Sequence, residues 1–257
     1  MTAAAVRPTT SIPAPRTAGD DSVPPSAGHR RRDPAACRAV AYQRVLHQLV
    51  RRELRLLADL ATWAPADEAE RTVTLTRHSE LISRVLLHHH SVEREAVWPA
   101  LLRAVPADEA AGARQLLDAW TASCARIDHM LRDVATAARQ WQVVGSCHAR
   151  DAFAMACRAV ADAVDEQTAE EERTLLPMLA EHFRAEDWTA IAHSSHCRLT
   201  AREQLLVLGL ALEDSSAGDR ARLLEGLPRS ARMAWRVNGG RYYRSAVVRL
   251  RGAPPAA

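Results

Sequence analysis

The chain has 257 residues, a formal charge of +3, and 47% hydrophobic and 25% charged residues. This length and balance are typical of an ordinary globular protein of one or two domains. The charge is too small for a chain of this length to indicate nucleic acid or an anionic membrane as a partner. Ala, Leu and Arg are abundant and alternating β-branched runs are almost lacking, so we predict an all-α protein.

The spacing of the cysteines and the length of the apolar stretches bear on the cellular location of the protein. The five cysteines form no CxxC pair and have no regular spacing, which argues against a zinc ribbon or a disulfide framework. We therefore expect reduced thiols and a cytoplasmic location. The longest apolar stretch, Leu205 to Leu212, is much shorter than the roughly 20 residues of a spanning helix, so we expect no transmembrane segment.

The first part of the chain predicts a tail followed by a helical bundle. Residues 1–34 are rich in Pro, Ser, Thr and Ala, and we predict that they are disordered. Apolar residues at helical spacing then predict four long helices, at about residues 34–63, 67–102, 108–141 and 150–183. Long helices with short links and one apolar stripe each are typical of an antiparallel four-helix bundle, to which we assign residues 35–184.

Residues 185–252 are expected to form a C-terminal extension of shorter helices that packs on the bundle, because a segment of this size buries little core alone. Thr200 and Glu203 have the spacing of a capping box, which predicts the start of one helix. The glycines in Asn238-Gly239-Gly240 predict the end of a later one.

Four polar side chains fall on the apolar faces of the predicted bundle: His47 on the first helix, His89 and Glu93 on the second, and Glu171 on the fourth. His89 and Glu93 are four residues apart, so both can approach one cation from a single helix. A buried glutamate is costly unless it is paired, protonated or bound to a cation. The pattern indicates a metal site, and the alternative is a set of hydrogen-bonded core histidines and salt-bridged seams.

Other histidines are expected to lie outside this site. His88 and His90 lie about 100° to either side of the inward-facing residue between them, nearer the seams of the bundle. His129 is predicted to face solvent. His78 and His182 are too far along their helices to reach the same ion, and we expect packing or end-of-bundle roles for them.

Several segments in the same order resemble the hemerythrin-like HHE cation-binding family, in the form of actinobacterial proteins with a C-terminal helical extension. The resemblance covers the chain from about Ala41 to Gly252. The matching segments are His47–Leu54, Leu87–Pro99, Ala125–Asp128, Glu170–Pro177 and Tyr242–Arg244.

The resemblance implies a pair of non-haem iron ions held by six side chains. These are one His on the first helix, His and Glu on the second, His on the third, and His and Glu on the fourth. His47, His89, Glu93 and Glu171 stand at four of these places.

The other two expected imidazoles are replaced by Cys124 on the third helix and Gln167 on the fourth. A neutral amide is a poor ligand for iron, which weakens the prediction of an iron pair. Cys124 is either a small buried apolar residue, or a thiolate ligand or redox-sensitive thiol beside the metal. A thiolate would shift the preference from iron towards zinc.

We therefore expect a metal-binding protein that holds iron, as a pair or as a single ion, or zinc, and that handles oxygen, nitric oxide, peroxide or iron. The alternative is a helical interaction or regulatory module with a metal-free site. The sequence shows no nucleophile with a paired base, no phosphate loop and no nucleotide fingerprint, so binding or sensing is favoured over catalysis.

The segment Arg229–Arg251 contains seven arginines and no acidic residue. Such a segment can contact nucleic acid or an anionic surface. We expect instead that the arginine stems cover apolar surface while their charged heads stay in water. Nucleic acid is not an expected partner, and the sequence carries no signal for an oligomeric state.

Overall fold

The structure, a computed structural model, describes residues 34–195 and 197–252. The tail predicted for residues 1–34 lies outside the described residues, apart from Pro34. Every regular element in the described ranges is helical, which confirms the predicted all-α class. None of these helices combines the length and the apolar character needed to cross a membrane.

Four long helical segments form the bundle. They are α1 (Pro34–Trp63), α2 (Ala69–Val92) with its continuation α3 (Trp98–Ala104), α4 (Ala110–Val144) and α5 (Cys147–His182). Short links join them, and α5 packs against both α1 and α4. These segments agree with the four helices expected from apolar periodicity, although the second is not a continuous α-helix.

A π-helical turn, Glu93–Val97, separates α2 from α3. The backbone N–H of Trp98 bonds to the carbonyl of Glu93, five residues earlier. Pro99 follows and has no N–H to donate, so regular α-helical bonding is weakened at this point. Such π turns are rare and are common at functional sites, and this one begins at a predicted metal ligand.

Two large clusters of the apolar core lie on either side of a polar layer, which contains the predicted metal ligands. One cluster contains Leu49, Ile82, Ile127 and Val164. The other contains Val40, Val97, Leu117 and Leu175. On α1, α2 and α5 the predicted ligands lie between residues of the first cluster and residues of the second. The bundle therefore has packed apolar side chains above and below the site.

In the described part of the C-terminal extension there are five shorter helices. They are α6 (Ala185–Ser194), α7 (Ala201–Glu213), α8 (Ala217–Gly226), α9 (Arg229–Ala234) and α10 (Gly240–Arg251), with a π-helical turn at Trp235–Gly239. The predicted capping box of α7 is present: the Glu203 N–H donates to Thr200 Oγ1 at 3.2 Å, and the Thr200 N–H donates to Glu203 Oε2 at 2.8 Å.

The prediction that Asn238-Gly239-Gly240 ends a helix is wrong. The chain passes through the π-helical turn and continues as α10, which is followed by Gly252 at a positive φ of 75°. Gly239 lies against the Trp235 ring, where an added Cβ would come within 2.3 Å of a ring carbon. Close packing, rather than helix termination, therefore requires a glycine here.

A buried ion-pair network joins the extension to the bundle. Glu53 Oε1 accepts hydrogen bonds from Arg52 Nε and Arg251 Nη2, both at 2.7 Å, and His78 Nε2 donates to Glu53 Oε2 at 2.8 Å. Arg251 Nη1 also donates to Glu213 Oε1 at 2.7 Å. Burial opposes ionisation of Glu53, but His78 and the two guanidinium groups lower its pKa to about 2. His78 and Arg251 thus have internal structural partners.

Candidate metal centre

The structure brings the four predicted ligands into the polar layer of the bundle. His47, His89, Glu93 and Glu171 are all buried, with at most 2% of each residue exposed. Among the described residues, donor atoms of His47, His89 and Glu93 lie within 4.8 Å of one another. Glu171 joins them, because its Oε1 lies 3.4 Å from His47 Nε2.

Several atoms of this layer lack a hydrogen-bond partner. His47 Nε2, Glu93 Oε2 and Glu171 Oε1 are buried and make no hydrogen bond. Their nearest polar contacts are longer, at 3.4 Å between His47 Nε2 and Glu171 Oε1 and at 3.3 Å between Glu93 Oε2 and His89 Nε2. Buried polar atoms without partners are uncommon in folded proteins. Two imidazoles and two carboxylates also form a donor set that suits a transition-metal ion. The residues present therefore fit one bound cation.

The two imidazoles differ in their proton affinity. Burial alone would lower the pKa of His47, but Glu171 and then Glu172 raise it to about 9. Burial lowers the pKa of His89 well below its usual value, and the neighbouring His47 lowers it further. His89 is thus a neutral nitrogen donor at neutral pH, whereas His47 carries a proton that a metal ion has to displace.

The two carboxylates also differ. Burial, followed by the negative charge of Glu171, raises the pKa of Glu93 well above its usual range. Burial opposes the ionisation of Glu171 as well, but His47 lowers its pKa. Two buried carboxylates in contact cannot both ionise without cost, and a divalent cation between them would remove that cost.

Side chains around the site hold the carboxylates in place. Gln43 Nε2 donates to Glu93 Oε1 at 2.7 Å, and Trp120 Nε1 donates to Glu171 Oε2 at 3.0 Å. Each carboxylate therefore has one oxygen fixed by a hydrogen bond, while its other oxygen faces an imidazole nitrogen, at 3.3 Å for Glu93 Oε2 and His89 Nε2 and at 3.4 Å for Glu171 Oε1 and His47 Nε2. Such supporting hydrogen bonds orient metal ligands and tune their affinity.

His47 is oriented in the same way, because its Nδ1 donates to Glu172 Oε1 at 3.0 Å. This bond leaves Nε2 as the nitrogen that faces the site. Sequence reasoning missed the roles of Gln43, Trp120 and Glu172. A signal was present for the first two, since Gln43 stands one helical turn before His47 and Trp120 one turn before Cys124.

Cys124 and Gln167 lie in the same part of the core and bond to each other. Both are buried, and Gln167 Nε2 donates to Cys124 Sγ at 2.9 Å. Burial, then the negative charges of Glu93 and Glu171, raises the pKa of the Cys124 thiol. A raised pKa keeps the thiol protonated. It therefore favours a small, buried thiol at Cys124 over a thiolate ligand.

His90 lies at a seam of the bundle, as predicted, and it is buried there. The seam is that between α2 and α4, where only 1% of the residue is exposed and its Nδ1 donates to Asp128 Oδ1 at 2.8 Å. Its ring centroid is 6.1 Å from that of His89 and 6.2 Å from that of Trp120. His90 is therefore part of the wall of the site. His129 is exposed, as predicted.

Tyr42 of α1 lies between His89 and the C-terminal extension. The ring of Tyr42 lies 6.3 Å from that of His89 and 5.3 Å from that of Trp188 in α6. Burial, followed by the negative charge of Glu93, raises the pKa of Tyr42 to about 12. Its hydroxyl therefore keeps its proton at neutral pH.

Fold and site together define an all-α bundle with a buried nitrogen and oxygen donor set of the kind that holds metal ions. The family model of the hemerythrin HHE cation binding domain matches residues 38–179. This match covers more than half of the chain, and the chain belongs to that family. No curated protein and no solved structure has a significant match to the chain.

Proposed function

We propose that the protein binds one metal ion through His47, His89, Glu93 and Glu171, and that this ion is non-haem iron. The observation that carries the proposal is the convergence of unpaired, buried atoms from three helices, His47 Nε2, Glu93 Oε2 and Glu171 Oε1. Without a metal ion, the contact of His47 with Glu171 at 3.4 Å and that of His89 with Glu93 at 3.3 Å replace only part of the hydration that these buried atoms have lost.

A single ion accounts better for the arrangement than a pair. Gln167 and Cys124 stand where the family resemblance implies two more imidazoles, and Gln167 Nε2 donates a hydrogen bond to Cys124 Sγ at 2.9 Å. Neither a neutral amide nor a protonated thiol is a good ligand for iron. Four good donors remain, which is enough for one ion with an open position.

Bound iron would supply a centre that can take oxygen, nitric oxide or peroxide as a ligand. The residues of this chain bind and orient that centre: Gln43 and Trp120 fix the carboxylates, and Glu172 fixes His47. The apolar clusters on either side limit access of water. Binding or sensing of a small ligand in the cytoplasm, rather than a catalytic cycle, is the role we propose.

Elemental analysis of the purified, untagged protein after anaerobic reconstitution with iron tests the proposal. We expect about one iron per chain, lost in His89→Ala/Glu93→Ala. The matched control is His129→Ala/Asp133→Ala, which removes another histidine and carboxylate four residues apart, both exposed. It should keep its iron. A parent protein without metal would overturn the proposal and leave a helical interaction module.

A further inference from the structure

The last helical segment of the extension has a basic, solvent-exposed side. This segment, Arg229–Arg251, consists of α9, the π-helical turn and α10, and it is about 35 Å long at 1.5 Å per residue. Tyr243, Val247 and Leu250 of α10 turn inward and are buried. The exposed side is called the basic face below, and it consists of five arginines and three apolar residues: Arg229, Arg236, Arg241, Arg244, Arg249, Met233, Val237 and Val248.

The arginines of the basic face have no internal partners. None of the five guanidinium groups forms an ion pair or a hydrogen bond within the part of the chain that the structure describes. The segment itself contains no acidic residue. Although the formal charge of the whole chain is only +3, positive charge is therefore concentrated and uncompensated on this side of the molecule.

Nearby carboxylates cannot neutralise this charge, because they are already used. Every carboxylate in residues 185–195 and 197–228 forms an ion pair with an arginine that lies outside the basic face. These carboxylates are Glu186, Asp187, Glu203, Glu213, Asp214, Asp219 and Glu225. The basic face is thus left with charges that only a partner of opposite sign can pair.

The apolar residues of the basic face are exposed as well, at 60% for Met233, 67% for Val237 and 43% for Val248. The expectation that arginine stems cover the apolar surface of this segment is therefore wrong at these three positions. Arg244 and Val248 are one helical turn apart in α10, so a positive charge and an apolar tip lie side by side. The face combines both kinds of group along its length.

This combination distinguishes between two kinds of anionic surface. Nucleic acid phosphates are bound by basic and polar groups, and they leave the exposed Met and Val side chains without a role. An anionic membrane surface accepts both kinds of group. Arginines lie among its charged headgroups, and apolar side chains enter the boundary between headgroups and acyl chains.

We propose that the basic face docks on an anionic membrane surface. The five arginines contact lipid phosphates, while Met233, Val237 and Val248 enter the lipid boundary. Each arginine near such a surface strengthens binding roughly 5-fold, whereas the three apolar side chains are short, so the attachment is reversible and sensitive to salt. The proposal goes beyond metal binding and does not depend on it.

Sedimentation of the full-length protein with sucrose-loaded vesicles tests the role of the arginines. Vesicles of phosphatidylglycerol and phosphatidylcholine in equal parts should bind the protein at low ionic strength, and vesicles of phosphatidylcholine alone should not. Arg241→Gln/Arg244→Gln should weaken binding roughly 25-fold. The matched control, Arg114→Gln/Arg139→Gln, removes two exposed arginines of α4 that have no ion pair. It should weaken binding by less than about 3-fold, because these charges lie outside the face.

A second pair of variants tests the apolar contribution. Met233→Ser/Val237→Ser should weaken binding to the same vesicles roughly 10-fold, and this loss should not depend on ionic strength. The control Met155→Ser/Val143→Ser changes a methionine and a valine that are more exposed but lie on α5 and α4, and it should bind like the parent. Far-UV circular dichroism should show the parental helix content in all four variants.

Three results would overturn the proposal. The first is a parent protein that does not sediment with the anionic vesicles. The second is an equal loss in the two arginine variants, since net charge rather than the basic face would then govern binding. The third is parental binding by Met233→Ser/Val237→Ser together with retention on duplex DNA that Arg241→Gln/Arg244→Gln abolishes, which would assign the face to nucleic acid.

Discussion

Glu53 of α1 and Arg251 at the end of α10 form a hydrogen-bonded ion pair of 2.7 Å, although 198 positions separate them in the chain. The glutamate is fully buried in the bundle, and the guanidinium comes from the extension. Removing one partner of a buried ion pair leaves an uncompensated charge, which is strongly destabilising. The stability of the bundle is therefore linked to the docking of its last helix.

The first prediction concerns the pH dependence of that link. The folded-state pKa of Glu53 is lowered from 4.5 to about 2, so its ionised form stabilises the fold at pH values above about 4.5, and this stabilisation is lost as the pH falls towards 2. Glu53→Gln should lower the free energy of unfolding by roughly 3 kcal/mol at pH 7. Urea unfolding at several pH values measures this difference.

The difference between Glu53→Gln and the parent should shrink steadily below about pH 4.5. Glu186→Gln, at an exposed position, is the control and should change stability by less than about 0.5 kcal/mol. A difference between Glu53→Gln and the parent that does not change over this pH range would contradict the account of Glu53.

The second prediction concerns the number of metal ions. Cys124→His/Gln167→His supplies the two imidazoles that the family resemblance implies, and it removes the bond between the two side chains. Iron content should rise from about one to about two per chain, as in bundles with paired ions. The single variants Cys124→His and Gln167→His are the controls, and their iron content should stay at about one per chain. An unchanged content in the double variant would show that more than these two positions limits the site to one ion.

The third prediction concerns the support of the carboxylates. Trp120→Phe keeps an aromatic ring but removes the N–H that donates to Glu171 at 3.0 Å. Metal affinity, measured by competition with a chelator, should fall 10- to 100-fold, the usual cost of losing such a support. Trp98→Phe is a close control, because Trp98 packs against Trp120 and its Nε1 has no partner. Equal losses in both variants would indicate a packing effect instead.

The fourth prediction concerns stability with and without metal. A metal ion that binds only the folded protein should raise the free energy of unfolding by about 2.7 kcal/mol at a free concentration 100-fold above Kd. Thermal unfolding should therefore shift upwards with iron in the parent and in His129→Ala/Asp133→Ala. His89→Ala/Glu93→Ala should show no shift, and an equal shift in that variant would place the metal elsewhere.

Helical periodicity was sufficient to predict the class of fold and the positions of four polar core residues. His47, His89, Glu93 and Glu171 each share a face with apolar residues of their own helix, and a local pattern of this kind is visible in the sequence. His90 shows the limit of the method. The predicted angle of His90 around α2 is correct. Its burial could not be predicted from α2 alone, because it depends on α4, which packs over the residue.

Contacts between distant segments could not be predicted in this way. The bond of Gln43 to Glu93 joins α1 to the π-helical turn, and the bond of Arg251 to Glu53 joins the last helix to the first. Gly239 likewise resembles a helix terminator until the ring of Trp235 is seen beside it. Helical periodicity describes one helix at a time, whereas these features depend on how helices pack together.

The central claim is that one metal ion is bound between His47, His89, Glu93 and Glu171. A crystal structure of the iron-loaded protein, with an anomalous difference map measured at the iron absorption edge, tests it most directly. The account predicts a single peak within bonding distance of all four side chains. Two peaks, a peak bonded to Cys124 or Gln167, or a peak elsewhere in the molecule would contradict it.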